Sequence, residues 1–272
     1  MSTNQQDIAF GNEIARLYER YLVPLIFEPY AQETAQRVAT MSPSRVLEIA
    51  CGTGVLTRAL ASRLPASSSI TATDLNPAML DQARQVGTSR SVAWRQADAL
   101  ALPFPDASFD AVVCEFGAMF FPDKPRAFAQ ARRVLAAGGA YVFTVWGAIE
   151  QNEVTDVVVN ALAAMFPDDP PRFMHRTRHG YHDRASIERD LVQGGFAEPI
   201  EFETIVARSR AASARDVAMG ICEGTPLRNE IEARDPTRLH QATEIAMRAL
   251  VEHFATGPID GRLEAQLLVA RR

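Results

Sequence analysis

Apolar and polar positions follow two periods in the first half of the chain, one typical of strands and one typical of helices. Short runs of β-branched and apolar residues predict strands, and stretches with helical spacing separate them. Five strands are predicted in this way, at 45–49, 70–74, 91–96, 110–116 and 140–146. Strands that alternate with helices at this spacing predict an α/β protein, with a parallel sheet covered by helices on both faces.

Residues with strong positional preferences indicate where the intervening helices begin and end. Asn76 is a predicted N-cap for a helix over 77–86. Asp123 caps a helix over about 124–136, and two glycines at 138–139 are expected to end it. The second half adds helices and two strands, predicted at about 154–166, 184–193, 198–208, 213–256 and 262–270.

The N-terminal region has helical periodicity over residues 12–40, but Pro24 and Pro29 interrupt it. Because proline lacks an N–H donor and clashes with the preceding turn, we predict two helices joined by an irregular, aromatic-rich elbow. Two roles are compatible with this elbow: it packs on the edge of the sheet, or it forms a lid over a site.

Composition and charge narrow the class of protein. The chain has 272 residues, 47% hydrophobic and 22% charged, as in ordinary globular proteins. A net charge of −5 does not support a general nucleic-acid partner. No signal peptide or membrane span is apparent, so we expect a cytoplasmic protein with no membrane partner. The three scattered cysteines predict neither a disulfide framework nor a metal site. The oligomeric state is open.

The stretch Arg45–Gly54 joins the first strand to a helix through a turn with two glycines. Glycine permits positive φ and close approach of a ligand, and a helix N-terminus offers unpaired N–H groups. Ligands of an open parallel sheet bind at the carboxyl ends of its strands. Four carboxylates lie there, Glu48, Asp74, Asp98 and Glu115.

The spacing of Asp74, 20 residues after Gly54, suits a carboxylate that accepts hydrogen bonds from ribose hydroxyls. Nicotinamide and adenosyl ligands both fit this spacing. A dinucleotide fingerprint has a third small residue where this chain has Thr57, and no Tyr-x-x-x-Lys pair occurs. The nicotinamide-dependent oxidoreductase is therefore the weaker hypothesis.

Several motifs in this order resemble the class I S-adenosylmethionine-dependent methyltransferases, especially the small-molecule branch of ubiquinone and menaquinone biosynthesis. The resemblance covers about residues 42–146 and rests on VLEIACGTG at 46–54, DLNPAML at 74–80, ADA at 97–99, LPF at 102–104, SFD at 108–110 and RRVLAAGG at 132–139. It implies a Rossmann-like sheet of seven strands with one antiparallel strand. One departure is Ala50, where the common pattern has glycine; we expect the turn to survive.

The resemblance also implies which residues hold S-adenosylmethionine, with S-adenosylhomocysteine as the product and no metal. Around the methionine end it places Glu48, Ala50, Gly52 and Gly54. Around the ribose and adenine it places Asp74, Leu75, Met79, Asp98 and Ala99. Beside the sulfonium it places Glu115 and Phe116.

We expect the whole chain, 1–272, to form a single domain. Its segments 1–40, 147–182 and 211–258 are expected to cover the cofactor-binding core and to form the pocket for the methyl acceptor. Apolar bulk predicts an apolar or aromatic small-molecule acceptor, with pocket candidates Tyr18, Tyr30, Met119 and Phe120. The run 172–182 contains the candidate general bases His175, His179, Tyr181 and His182.

Arg172, Arg176 and Arg178 in the same run could receive an anionic substrate, and a solvated loop is the alternative for the whole run. The acceptor and the methylated atom are open. A non-catalytic protein that binds S-adenosylmethionine is a further alternative, because a fold does not fix a function.

Overall fold

The computed structural model describes residues 5–197 and 199–272, and within them seven strands form one sheet. The strands are β1 Arg45–Ile49, β2 Ser69–Asp74, β3 Ala93–Gln96, β4 Phe109–Glu115, β5 Leu135–Trp146, β6 Glu201–Ala211 and β7 Ile259–Arg271. Their order is β3-β2-β1-β4-β5-β7-β6. β7 is antiparallel to both β5 and β6, and the pairs from β3 to β5 are parallel. The predicted sheet with one antiparallel strand is confirmed.

Helices cover both faces of this sheet. The α-helices of the described residues are α1 Asn12–Leu17, α2 Glu28–Thr40, α3 Val55–Arg63, α4 Pro77–Val86, α5 Lys124–Val134, α6 Glu153–Met165, α7 Arg184–Gln193, α8 Ala214–Glu223, α9 Leu227–Arg234 and α10 Leu239–Phe254. Two π-helical segments, Tyr18–Phe27 and Met174–Arg178, and the 3-10 turns Gln5–Ile8, Ala118–Phe120 and Ile149–Gln151 complete the order.

The central strands are buried on both faces because their side chains alternate between two cores. Leu47 and Val112 belong to the core on one face, and their chain neighbours Val46 and Val113 belong to the core on the other. Near-continuous apolar runs are typical of such doubly covered parallel strands. The ends of these strands are therefore held by packing on both sides, which gives a site there a rigid base.

The two predicted N-terminal helices, α1 and α2, are present, but the prediction of an irregular elbow between them is wrong. Pro24 lies inside the π-helical segment Tyr18–Phe27, which runs from α1 into α2, and Pro29 stands in the first turn of α2. A first-turn proline costs no hydrogen bond because that N–H has no partner in the helix. Around Pro24, Leu22 and Ile26 are buried, and this packing stabilises the helical path.

The predicted helix stop at 138–139 is wrong as well. α5 ends at Val134, and β5 already begins at Leu135. The pairing of β5 with β4 shifts register here, and Gly138 adopts a φ of 77°. A Cβ on Gly139 would lie 2.8 Å from the carbonyl oxygen of Asp110. The two glycines therefore form a bulge inside the strand.

Other boundaries differ less. The stretch 213–256, predicted as two helical pieces with breaks at 224–226 and 235–236, forms three helices, α8, α9 and α10. Residue 198, the predicted start of the sixth strand, and residues 1–4 of the predicted N-terminal cover lie outside the described residues. Within the described part of the chain, none of the helices combines the length and the apolar character that crossing a bilayer requires. A cytoplasmic location stays a prediction.

Candidate functional site

A cavity of about 350 Å³ lies at the carboxyl ends of β1, β2, β4 and β5. It is where an open parallel sheet is expected to bind a ligand. The structure brings many of the sequence-predicted residues into its wall, namely Tyr18, Ala50, Gly52, Asp74, Leu75, Met79, Asp98, Ala99, Glu115, Phe116 and Phe120. Residues far apart in the sequence thus form one surface.

The turn after β1 approaches the cavity with an unusual backbone. Ala50, Gly52 and Gly54 all have positive φ, at 55°, 54° and 87°. A non-glycine residue rarely adopts this conformation, and such strain is concentrated at ligand sites. The Cβ of Ala50 is tolerated because glycine stands opposite: a Cβ on Gly117 would lie 2.6 Å from it. The departure from the common glycine therefore leaves the turn intact, as expected.

Asp74, the last residue of β2, connects the strand to this turn. One carboxylate oxygen accepts a hydrogen bond from the Gly52 N–H at 2.8 Å, and the other accepts one from the Asn76 N–H at 2.8 Å. Burial raises the pKa of Asp74, and the backbone hydrogen bonds oppose this rise. Each oxygen keeps a second lone pair, so the carboxylate can still accept hydrogen bonds from a ligand in the cavity.

Glu48 and Gly54 lie behind the turn, outside the cavity wall. The Glu48 carboxyl is buried and accepts a hydrogen bond of 2.6 Å from the Thr57 hydroxyl. Burial raises its pKa to about 8. A Cβ on Gly54 would lie 3.2 Å from the Trp94 ring. These residues support the turn, and the position of Thr57 is explained by its bond to Glu48.

The side of the cavity nearest β2 and β3 is open and partly apolar. Leu75 exposes 49% of its surface, while Met79 and Ala99 are buried beside it. Asp98 is exposed, and one of its oxygens accepts a hydrogen bond of 2.9 Å from the Leu100 N–H. This part of the wall offers apolar contact to a flat ligand and a carboxylate at its edge.

The deep part of the cavity holds a carboxyl group without a partner. Both oxygens of Glu115, at the end of β4, are buried and have no hydrogen-bond partner among the described residues. Burial raises the pKa of Glu115 well above its usual range. A buried polar group is nearly always hydrogen-bonded in native proteins, so an unpaired one in a cavity wall marks a place for a ligand.

Aromatic rings surround this end. Phe116 has a φ of 51° and its ring stacks on Trp146, with centroids 3.9 Å apart. Tyr30 packs edge-on against both rings at 5.3 and 5.5 Å, so it lies behind them and does not line the cavity. The predicted pocket residue Tyr30 thus contributes by positioning these rings.

Sequence reasoning missed Trp146 and much of the cavity wall on the covering segments. The missed residues of the covering segments include Ile8, Phe10, Phe27, Phe173, Thr225 and Pro226. Trp146 ends β5 and could have been found by the rule that identified the strand-end carboxylates. For the others, the sequence carries no signal beyond apolar character, because loops and helices from three segments bring them together.

The candidate bases of the run 172–182 do not line the cavity. His175 and His182 are exposed. His179 is buried, its Nδ1 lies 2.9 Å from the Gly147 carbonyl oxygen, and burial lowers its pKa to about 3. The Tyr181 hydroxyl donates to Asp190 at 2.9 Å.

The predicted pocket residue Met119 lines a neighbouring cavity of about 330 Å³ with Tyr181. Arg178, in contrast, is buried in the wall of the main cavity. A solvated loop is therefore wrong for Arg178 and His179.

The sheet order and the cavity at its strand ends define the class I methyltransferase fold. Residues 47–143 match the family model described as a methyltransferase domain. This segment of the chain matches a methyltransferase domain, and the resemblance inferred from its motifs is confirmed. The match favours this class over the nicotinamide-dependent alternative.

Particular relatives carry the same segment. The chain is 42% identical to the demethylmenaquinone methyltransferase of Deinococcus radiodurans over 115 residues, which are 42% of this chain and 47% of that protein. It is 34% identical over 157 residues to the malonyl-(acyl-carrier protein) O-methyltransferase of Geobacter sulfurreducens, covering 57% of each. The matches thus span about half the length of these curated relatives.

The fold likeness extends further along the chain. The phosphoethanolamine N-methyltransferase 2 of Haemonchus contortus superimposes with a TM-score of 0.59 and 19% identity, covering 95% of this chain and 57% of that one. At this identity the likeness concerns the fold alone.

Proposed function

We propose that this chain binds S-adenosylmethionine in the cavity and transfers its methyl group to a small apolar or aromatic acceptor, releasing S-adenosylhomocysteine. The observation that carries the proposal is the single wall formed by the positive-φ turn, Asp74, Asp98 and Glu115, on a segment that matches a methyltransferase domain. These groups offer hydrogen-bond acceptors that suit the amino-acid, ribose and adenine parts of this cofactor.

The wall residues suit particular parts of the cofactor. The free lone pairs of Asp74 would accept hydrogen bonds from the ribose hydroxyls. Leu75, Met79 and Ala99 would contact the adenine, and Asp98 would accept from its amino group. The unpartnered oxygens of Glu115 would face the cationic end, because a buried carboxyl gains most from a nearby positive charge.

When bound, S-adenosylmethionine supplies a methyl carbon that forms a bond to the acceptor lone pair while the carbon–sulfur bond breaks and its electrons return to sulfur. The protein contributes chiefly by holding the two groups together, which lowers a barrier by about 7–11 kcal/mol in favourable cases. Phe116 and Trp146 form a fixed aromatic base at the deep end. Phe10, Phe173 and Pro226 line the cavity from the covering segments and would shield the bound groups from water.

The division of the chain into a core at 42–146 and covers at 1–40, 147–182 and 211–258 is part of this proposal. It is supported by the origin of the wall residues, since each covering segment contributes some of them. No base is assigned to the histidine run, because its histidines do not line the cavity. An acceptor with a sufficiently acidic proton needs none.

The role of Asp74 is tested by substitution. Asp74→Ala removes the proposed ribose acceptor and two backbone hydrogen bonds, so we expect the thermal shift produced by S-adenosylhomocysteine to be lost. The matched control is Asp81→Ala, which removes an exposed carboxylate whose ion pair with Arg84 lies on the surface of α4. An unchanged shift in a folded Asp74→Ala protein would remove Asp74 from the ribose role.

A further inference from the structure

Arg178 is a buried cation without an anionic partner. The residue is 5% exposed, its Nε is buried without an acceptor, and the described residues form no hydrogen bond or ion pair with its guanidinium. The guanidinium instead lies over two rings, 4.8 Å from the centroid of Trp146 and 5.8 Å from that of Phe27. Cation–π contact compensates only part of the hydration that a buried guanidinium loses.

Arg176, in the same segment, is paired with carboxylates and has a structural role, in contrast to Arg178. Arg176 is more exposed, yet it pairs with two buried carboxylates, Asp7 at 2.6 Å and Glu230 at 2.7 Å. Glu230 also accepts hydrogen bonds from the N–H groups of Arg172 and Phe173. Both carboxylates are therefore already engaged, and the more deeply buried arginine is the one left unpaired.

Among the described residues, no carboxylate forms an ion pair with Arg178. The titratable group that acts most on it is the Tyr18 hydroxyl, whose pKa is raised by burial, so that it is neutral near pH 7. Burial lowers the pKa of Arg178 to about 10, which leaves the guanidinium charged near neutral pH. The cavity thus holds a positive charge at its aromatic end.

The position of Arg178 is fixed by the fold. It ends the π-helical segment Met174–Arg178, and the next residue, His179, contacts the Gly147 carbonyl oxygen just after β5. At the other end, Glu230 holds the N–H groups of the residues that precede the segment. The segment that carries Arg178 is thus held at both ends, and its guanidinium lies against two rings, which pre-organises it for a planar, two-oxygen anion.

We propose that the methyl acceptor is an apolar or aromatic molecule that carries a carboxylate-type oxyanion, and that Arg178 binds this oxyanion while the rings of Trp146, Phe27 and Phe173 contact its apolar body. The inference rests on the proposed methyl transfer and names its substrate class. The carboxylate of S-adenosylmethionine is a second source of the same chemistry, and the experiment separates the two.

The experiment compares two probes on the protein saturated with S-adenosylhomocysteine. 2-Naphthoate carries the oxyanion, and 2-naphthamide is its neutral counterpart of the same shape. We expect calorimetry to show that wild type binds naphthoate about tenfold or more tightly than naphthamide, since a charge-assisted pair in a desolvated site is strong. Equal affinities, or no binding of naphthoate, would overturn the proposal.

Substitutions test whether Arg178 causes the preference for naphthoate over naphthamide. Arg178→Met keeps the length and apolar stem and should abolish the preference for naphthoate, whereas Arg178→Lys should retain part of it. Arg172→Met is the matched control, because Arg172 is exposed and outside the cavity wall. A preference that persists in Arg178→Met would also contradict the proposal.

Two further measurements distinguish the possible failures. 5′-Methylthioadenosine lacks the carboxylate of S-adenosylhomocysteine. If Arg178→Met weakens the binding of S-adenosylhomocysteine but not that of 5′-methylthioadenosine, Arg178 binds the carboxylate of the cofactor and the acceptor proposal is wrong. If wild type binds no S-adenosylhomocysteine at all, the proposed methyl transfer itself fails. Binding of the cofactor product without a preference for naphthoate rejects only the inference about the acceptor.

Discussion

At the scale of single residues, three carboxyl groups of the site differ in their partners. Glu48 has a neutral partner in Thr57, Asp74 has two backbone N–H partners, and Glu115 has none among the described residues. Burial raises the pKa of all three. A glutamate therefore supports the turn at position 48, whereas at position 115 a glutamate offers free oxygens to a ligand.

The pKa of Glu48 makes stability depend on pH. Because it is raised from 4.5 to about 8, the fold favours the protonated carboxyl. The stabilisation that the protonated carboxyl gives to the fold is complete below pH 4.5. As the pH rises from there through 8, the free energy of unfolding falls by on the order of 4–5 kcal/mol. Gln cannot ionise and can still accept from Thr57. Chemical unfolding should therefore show Glu48→Gln gaining stability relative to wild type as the pH rises from 5 to 8.5.

The control for this comparison is Glu33→Gln, which changes an exposed glutamate on α2. Its unfolding free energy should follow that of wild type at every pH. Parallel curves for wild type and Glu48→Gln would show that Glu48 has an ordinary pKa in the fold.

The candidate site could be predicted from the sequence where a residue follows directly from a strand end. Asp74, Asp98 and Glu115 were found in this way and do line the cavity, whereas Glu48, found by the same rule, lies behind the turn. Arg178 could not be distinguished from Arg176, because their difference depends on which arginine meets the carboxylates of Asp7 and Glu230. Such pairings join residues more than fifty positions apart, and no local pattern reports them.

At the scale of elements, the sequence predicted best the segments with strong capping residues. α4 and α7 have the predicted bounds, and Asn76 caps α4 through its side chain, as expected. Prediction failed where tertiary packing overrides a local signal. Pro24 stays within a helical segment because its neighbours are buried, and the glycines at 138–139 form a bulge because β4 pairs beside them.

The close contact between the turns after β1 and β4 gives a prediction at this scale. A Cβ on Gly117 would lie 2.6 Å from the Cβ of Ala50 and 2.8 Å from the Cys114 sulfur. Gly117→Ala should therefore lower the free energy of unfolding by about 1–3 kcal/mol, as overpacking does. The measurement is urea unfolding followed by circular dichroism.

Two further variants test the cause. Gly11→Ala adds a methyl group where nothing lies within 4 Å, and it should leave the folded packing unstrained. Ala50→Gly combined with Gly117→Ala removes one of the two clashes and should recover part of the lost stability. If the double variant is as unstable as Gly117→Ala alone, contact between the two turns is not the cause.

At the scale of the whole molecule, two kinds of structure form the wall of the cavity. The strand ends of the core present the turn and the carboxylates, and the covering segments present aromatic rings and Arg178. The core was predictable because alternating strands and helices impose a known topology. The covers were predictable only as helical, because their contacts with the cavity depend on three segments that meet in space.

The measurement that tests the central claim most directly is calorimetric titration of the wild-type chain with S-adenosylmethionine and, in parallel, with NADH. Because the cavity wall offers acceptors for an amino acid, a ribose and an adenine, we expect saturable binding of S-adenosylmethionine at one site and none of NADH. Binding of NADH with no heat from S-adenosylmethionine would contradict the account.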